Sequence, residues 1–231
     1  MMQSILQLLM LEPELAKKYL VSLKVKANRK VHEYLHSRDK QKVLIVKKGI
    51  VKVEVWYEGN WRLSSFYGPD GIIGMSSFVK QLPYVEEMQH YRVIGLSDGE
   101  IVSVEADFFI DHLYAHPHFF QEILEAVTLR FLVSQFIYRE RRVALSKRLA
   151  TGIIAMMNMT NMKVIGGRAE FVPAFTKRLI ASFIQAHPYR LNHVFKNWEE
   201  AGLIAFDTHL IVFDIKQLEK ETYLRFSSEN L

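Results

Sequence analysis

Between Thr176 and Asn197 the chain carries Lys177, Arg178, Arg190 and Lys196 and no aspartate or glutamate. Thr176, His187, Tyr189, Asn192 and His193 are interleaved with them. These are cations, hydrogen-bonding groups and rings, and their spacing sets no nucleophile beside a base. The chemistry they can do is non-covalent: attraction to a polyanion, with arginine matched in shape to a guanine edge and asparagine to an adenine edge. Arg190, Asn192 and His193 are the candidates for base edges, and Thr176, Lys177 and Lys196 for phosphates. Arg178, His187 and Tyr189 complete the candidate DNA-contacting set.

The other cluster with chemical potential is His112, His116 and His118, with Glu122 nearby. His112 and His116 have the i, i+4 spacing of a helical metal site, but Pro117 follows at once and breaks the helix there. A helix end and loop surface is the expectation, with no metal and no cofactor. The chain has no cysteine, which excludes disulfides, thiolate nucleophiles and cysteine-ligated zinc or iron–sulfur centres. No G-x-S-x-G, P-loop or dinucleotide fingerprint is present, so nothing points to an enzyme.

The DNA-contacting residues need elements to hold them. Thr176 can cap a short helix over Lys177 to Ile184, where Leu179, Ile180, Phe183 and Ile184 repeat at helical spacing. Gln185, Ala186 and His187 form a break, and Pro188 suits the first position of a second helix running to about Ala201. Leu191, Val194, Phe195 and Trp198 give that helix one buried stripe and leave the opposite face free. Two β-prone runs follow, Leu203 to Phe206 and Leu210 to Phe213, separated by the turn Asp207-Thr208-His209. A helix-turn-helix followed by a small hairpin is a winged helix.

From Lys42 to Val104 the pattern is different. Short β-prone runs at Val43 to Val46, Ile50 to Tyr57, Trp61 to Tyr67, Tyr91 to Leu96 and Glu100 to Glu105 are separated by Gly-containing turns. Along the second run Val51, Val53 and Val55 should face inward, and Lys52 and Glu54 water. Closely spaced strands without intervening helices predict an antiparallel barrel or sandwich. Asp107 to Tyr114 reads as a short helix. The long stretch from His118 to about Arg142 is apolar nearly all round, so it must be covered on more than one side. Phe120, Leu124, Val127, Phe131, Ser134 and Tyr138 follow the spacing of a coiled-coil seam, which predicts a symmetric dimer. A second stripe, Ile123, Ala126, Val133 and Ile137, would lie on the barrel. A new helix, Lys147 to Met157, capped near Ser146, should open the C-terminal part.

The organisation expected is therefore α+β: residues 1–116 a β-barrel sensor-like domain, 117–143 a dimerisation helix and hinge, 144–231 a winged helix. The net charge of +5 suits an anionic partner. The N-terminal apolar run Ile5 to Leu11 has no basic region before it and Glu12 and Glu14 after it, unlike a signal peptide. No stretch approaches the ~20 apolar residues that span a bilayer. A cytoplasmic protein that avoids membranes is the expectation.

This order of elements resembles the Crp/Fnr family of bacterial transcription regulators, over nearly the whole chain. Val46-Lys47-Lys48-Gly49-Ile50-Val51 is similar to the family's strand, lysine-glycine turn and strand. Asp70-Gly71-Ile72-Ile73-Gly74 resembles its GDFIG turn with aspartate and glycine transposed. Phe175-Thr176-Lys177-Arg178-Leu179-Ile180-Ala181 resembles the first helix of its DNA-reading motif, and the match runs ungapped to Leu203-Ile204. Arg148 fits the arginine of the first helix in the family's DNA-binding domain.

The resemblance implies a cyclic-nucleotide-binding-like jelly roll and a homodimer on a two-fold symmetric site in double-stranded DNA. It also implies RNA polymerase as a further partner, with activation favoured over repression. Two departures matter. Met75 stands where cyclic-AMP-binding members have a glutamate, and Gln89-His90 falls near their arginine-serine pair, so a cyclic phosphate would lack its charge partner. Control by cyclic AMP is therefore not expected, nor is an oxygen-sensing cluster. Met75, Ser76, Ser77, Gln89 and His90 mark an effector pocket whose ligand the sequence does not name. Gly74-Met75-Ser76-Ser77-Phe78 is similar to the subgroup containing the glutathione-responsive virulence regulator of Listeria, over too few residues to carry a ligand across. The second departure is His187 to His193, which differs from the family's usual reading residues and implies another operator sequence. The alternative is an effector- or protein-binding sensor of the same fold with weak or no DNA binding.

Overall fold

The computed structural model describes residues 5–35, 42–75, 90–139, 143–222 and 224–226 of the chain, without the side chains of Phe136, Tyr138 and Arg139. The chain forms two compact units, Met1–Thr128 and Leu129–Leu231.

In the first unit two short helices, α1 (Ile5–Leu9) and α2 (Pro13–Tyr19), lead into eight strands. These are β1 (Leu20–Val25), β2 (Lys30–Tyr34), β3 (Lys42–Lys48), β4 (Val51–Tyr57), β5 (Asn60–Tyr67), β6 (Ile72–Ile73), β7 (Tyr91–Gly95) and β8 (Gly99–Glu105). They form two antiparallel sheets, ordered β1-β8-β3-β6 and β2-β7-β4-β5. Val25, Leu44, Val46 and Ile101 of one sheet meet Tyr34, Val51, Tyr91 and Val93 of the other in a single core. The opposite face of the first sheet is covered by helices: Val43, Ile45, Val102 and Val104 pack with α1, with Phe108, Phe109 and Leu113 of α3 (Ala106–Ala115), and with Phe119 and Ile123 of α4 (His118–Arg139). Alternation thus serves both faces of this sheet, and β3 reads as a continuous apolar run.

Two expectations fail here. The β-structure begins at Leu20, not Lys42, and includes β1, β2 and β6. Glu54 does not face water: it is buried, with the Arg92 guanidinium at 2.6 and 2.7 Å and Lys52 also bonded to it. Its neighbourhood is irregular, since the β4–β5 pairing shifts register between Val53 and Glu54, and partners across the ladder cover the carboxylate.

The helix α4 presents Phe120, Leu124, Val127, Leu129, Phe131 and Leu132 as exposed side chains, with Leu124 65% and Phe131 58% exposed. Of the second stripe, Ile123, Val133 and Ile137 are buried, whereas Ala126 is exposed.

The second unit is built on α5 (Leu145–Met159), whose residues Leu149 to Met157 are all buried. The helix starts from Ala144 without a side-chain cap, and Ser146 lies inside its first turn, not at its cap. Around α5 lie β9 (Val164–Ile165), β10 (Arg168–Glu170), α6 (Lys177–Phe183), α7 (Pro188–Glu200), β11 (Ile204–Phe206), β12 (Leu210–Val212) and α8 (Ile215–Lys220). The four strands form one antiparallel sheet, ordered β11-β12-β10-β9. The first hairpin, β9–β10, escaped the sequence reading; its signal is Gly166-Gly167, both with positive φ. Among the described residues no helix is long and apolar enough to cross a membrane.

Candidate nucleic-acid interface

The helix α6 starts where Thr176 Oγ1 accepts the Leu179 backbone N–H at 3.2 Å. It stops because Gln185 adopts φ +54°, the left-handed conformation that ends helices. The Ala186 N–H then donates to the Ala181 carbonyl (2.9 Å) and the Gln185 N–H to Ser182 (3.3 Å), closing a Schellman motif. Glutamine in place of the usual glycine carries a steric cost, and a side chain from α5 helps hold the turn. Arg148 Nη2 donates to the carbonyls of Ile184 and, at 2.9 Å, Gln185. A cation on the last carbonyls of α6 also suits the negative end of its dipole.

Two residues later α7 begins. The Tyr189 N–H donates to His187 Nδ1 at 3.3 Å, and Pro188, which has no N–H to lose, takes the first position. His187 is therefore committed to capping. Leu191, Phe195 and Trp198 are buried as expected, and Val194 is half-buried. At the far end Gly202 (φ +68°) closes a second Schellman motif, with the Leu203 N–H donating to Trp198 at 2.9 Å. Glu199 then accepts the Phe206 N–H at 2.9 Å, tying the β11–β12 hairpin to the helix.

Each helical residue advances about 100° around the axis, which sorts the exposed side chains of α7. Tyr189, His193, Lys196 and Glu200 lie within about 30° of the direction opposite the buried stripe. Arg190 and Asn192 are exposed but stand on opposite flanks, roughly 70–90° away from that direction. The centre of the face is thus a ring pair: Tyr189, 68% exposed, and His193 meet edge to face at 5.7 Å. Lys196 reaches Glu200 at 3.7 Å, both exposed. Lys177 is half-buried, with its ammonium over the rings of Phe195 (5.2 Å) and Phe206 (5.0 Å), while Thr176 and Arg178 are exposed. At the hairpin tip His209 is held between Thr208 Oγ1 (2.9 Å) and Glu170 Oε1 (2.8 Å).

The residues of the expected effector pocket are less completely seen. Ser76, Ser77 and Gln89 lie outside the described residues. Met75 packs against the helix-covered core, next to Gly74 at φ +93°. His90 sits in different surroundings: its Nε2 is 3.1 Å from Glu33 Oε1, and its ring meets Trp61 edge-on at 4.8 Å. Hydrogen bonds from Lys30 and then His90 hold the Glu33 carboxyl below its ordinary value. Asp70, in the turn that leads to Gly74, has φ +62°, and burial pushes its carboxyl up.

In the histidine cluster, His112 Nδ1 lies 2.9 Å from its own helix's Phe108 carbonyl, and the His116 and His118 rings meet at 6.2 Å. Among the described residues no three His, Cys, Asp or Glu side chains converge as a metal site.

No protein-family model matches the sequence, and no curated protein sequence matches it. Solved structures do match in fold. A transcriptional regulator described as of the Crp/Fnr family, from Eubacterium rectale, superposes with a TM-score of 0.59 at 15% identity, over 90% of this chain and 92% of that one. A Crp/Fnr-family transcriptional regulator from Thermus thermophilus gives 0.59 at 18% identity, over 87% and 97%. A variant of CooA from Carboxydothermus hydrogenoformans gives 0.66 at 13% identity, over 94% of each chain. The chain has the fold of these proteins along nearly its whole length.

Proposed function

We propose that this protein is a sequence-specific DNA-binding transcription regulator that acts as a homodimer on a two-fold symmetric site and is not controlled by cyclic AMP. The observation that carries this reading is the free face of α7. Over its first three turns, Pro188 to Asn197, that face carries His193 and Lys196 opposite the core and Arg190 on its flank, all exposed and with no carboxylate among these residues. A preceding helix buttresses it through a turn fixed by Arg148. That is the build of an element meant to enter a groove lined with phosphates.

The remaining parts of the reading have their own support. The exposed apolar stripe of α4 suits a helix-to-helix seam in the dimer, with Phe120, Leu124, Val127 and Phe131 on it. The two-sheet unit would serve as the sensor, in the manner of a jelly roll, and the β11–β12 hairpin as the wing. Met75, an apolar side chain in the place of a phosphate-site glutamate, argues against a cyclic nucleotide as effector. Transcription control, not catalysis, fits the fold likeness.

Binding-site selection from random duplex DNA, followed by a salt titration, tests the reading. A two-fold symmetric consensus should emerge, and log affinity should fall linearly with log salt, by roughly 0.9 for each phosphate neutralised. A purified protein that retains no duplex at low salt would leave the same fold as an effector- or protein-binding sensor and overturn the DNA-reading role.

A further inference from the structure

The first turn of α7 is unusual in what it cannot do. His187 spends its Nδ1 on the Tyr189 N–H, and Pro188 has neither side-chain donor nor acceptor. Arg190 stands on a flank. The side chain that projects from the middle of the face at this end of the helix is that of Tyr189, a residue that is 68% exposed. Its neighbour one turn on, His193, meets it edge to face at 5.7 Å with an interplanar angle of 86°. That aromatic contact favours one orientation of the ring, which lowers the entropy lost when it is buried.

Building on the DNA-reading role, we infer that Tyr189 reads thymine by packing its ring against the C5-methyl group, with His193 as the residue that positions the ring. The major groove is wide enough to admit a helix, and the thymine methyl is its one strongly apolar marker. A ring on the central line of the helix face meets base edges, whereas Arg190 and Asn192, on the flanks, face the walls of the groove, where phosphates lie. The specificity of this end of α7 is thus apolar, and the preferred half-site contains a thymine that no side-chain hydrogen bond need recognise.

Replacing thymine by deoxyuridine removes the methyl group alone, so the test uses paired duplexes that differ only in that replacement. The starting duplex is one retained by the wild-type protein from a random library. At one position per half-site, deoxyuridine removes two methyl groups from the duplex and should weaken wild-type binding about ten- to fifteenfold, three- to fourfold for each buried methyl group. Tyr189→Phe should keep this preference, and Tyr189→Ala should bind thymine and deoxyuridine duplexes alike. Because Tyr189 is exposed, both variants should melt at the wild-type temperature. His193→Ala should shrink the preference; an undiminished preference would remove His193 from the positioning role. If wild-type protein binds the duplex but ignores the methyl at every position, or if Tyr189→Ala keeps the full preference, the inference fails while DNA binding stands. A wild-type protein that retains no duplex overturns the DNA-reading role and this inference with it.

Discussion

Gly152 of α5 lies directly against Ile184 at the end of α6. A Cβ at this position would lie 2.2 Å from Ile184 Cγ2, a branched methyl that is fully buried. Ile184 cannot easily withdraw, because its carbonyl is bonded to Arg148. Gly152→Ala should therefore destabilise the C-terminal unit by about 1–3 kcal/mol through overpacking, despite alanine's better helix propensity, and lower its melting temperature. A melting temperature at or above wild type would show that the helices can move apart at no cost. In the other unit Glu54 is the informative residue. Burial alone would raise its carboxyl, but Lys52 and Arg92 more than offset this and it titrates below its ordinary value. A carboxylate depressed in the folded state adds stability at neutral pH, and that stability is lost as pH falls through the folded value. Glu54→Gln should thus cost about 1–3 kcal/mol at pH 7. Its deficit against wild type should narrow as pH drops below about 4, measured by denaturant titration at each pH. A deficit independent of pH would assign the effect to shape and not to charge.

At the scale of elements, α4 carries the clearest consequence. Phe131 lies near the C-terminal end of the exposed stripe and is 58% exposed, so Phe131→Asp should leave the folded chain intact while burying a charge in any helix-to-helix seam. Sedimentation should show the variant as a monomer where wild type is a dimer; an unaltered dimer would place the seam elsewhere. The elements also show where sequence reading works. Both helices of the helix-turn-helix and the β11–β12 hairpin are legible in the sequence because each has a chemical marker: Thr176, Pro188 and the Asp207-Thr208-His209 turn. Gln185 was legible only as a break, since its left-handed backbone rests on contacts from Arg148 that lie far off in sequence. In β1 the alternation of Val21, Leu23 and Val25 with Ser22 and Lys24 is present but short, and β2, Lys-Val-His-Glu-Tyr, has no strict alternation. The strands β9 and β10, of two and three residues, are too short to show any period. Glu54 keeps the outward position that the alternation gives it, and is buried there because Arg92, opposite it on β7, and Lys52 cover its carboxylate, which a strand's own period cannot show. At the candidate interface the expected residues are exposed except Lys177, which is half-buried, and angle around the helix changes their ranking: Tyr189 stands at the centre and Arg190 on the flank.

For the whole molecule, the division between the two units falls inside α4, between Thr128 and Leu129. The exposed stripe runs across that division, from Phe120 in one unit to Phe131 and Leu132 in the other. Pairing through the stripe would thus join α4 to its own copy along residues of both units. It would also make stability a property of the solution as much as of the chain. A pair that comes apart on unfolding obeys mass action, so each tenfold rise in protein concentration should raise the melting temperature by about 1–2 °C. A melting temperature flat over a hundredfold dilution would mean that the stripe stays bare in the folded state. If mass action holds and the proposed DNA-reading role is right, the amount of protein made would set the fraction paired, and occupancy of a two-fold site would rise more steeply than in proportion to expression: abundance itself would become a control input, before any small molecule binds.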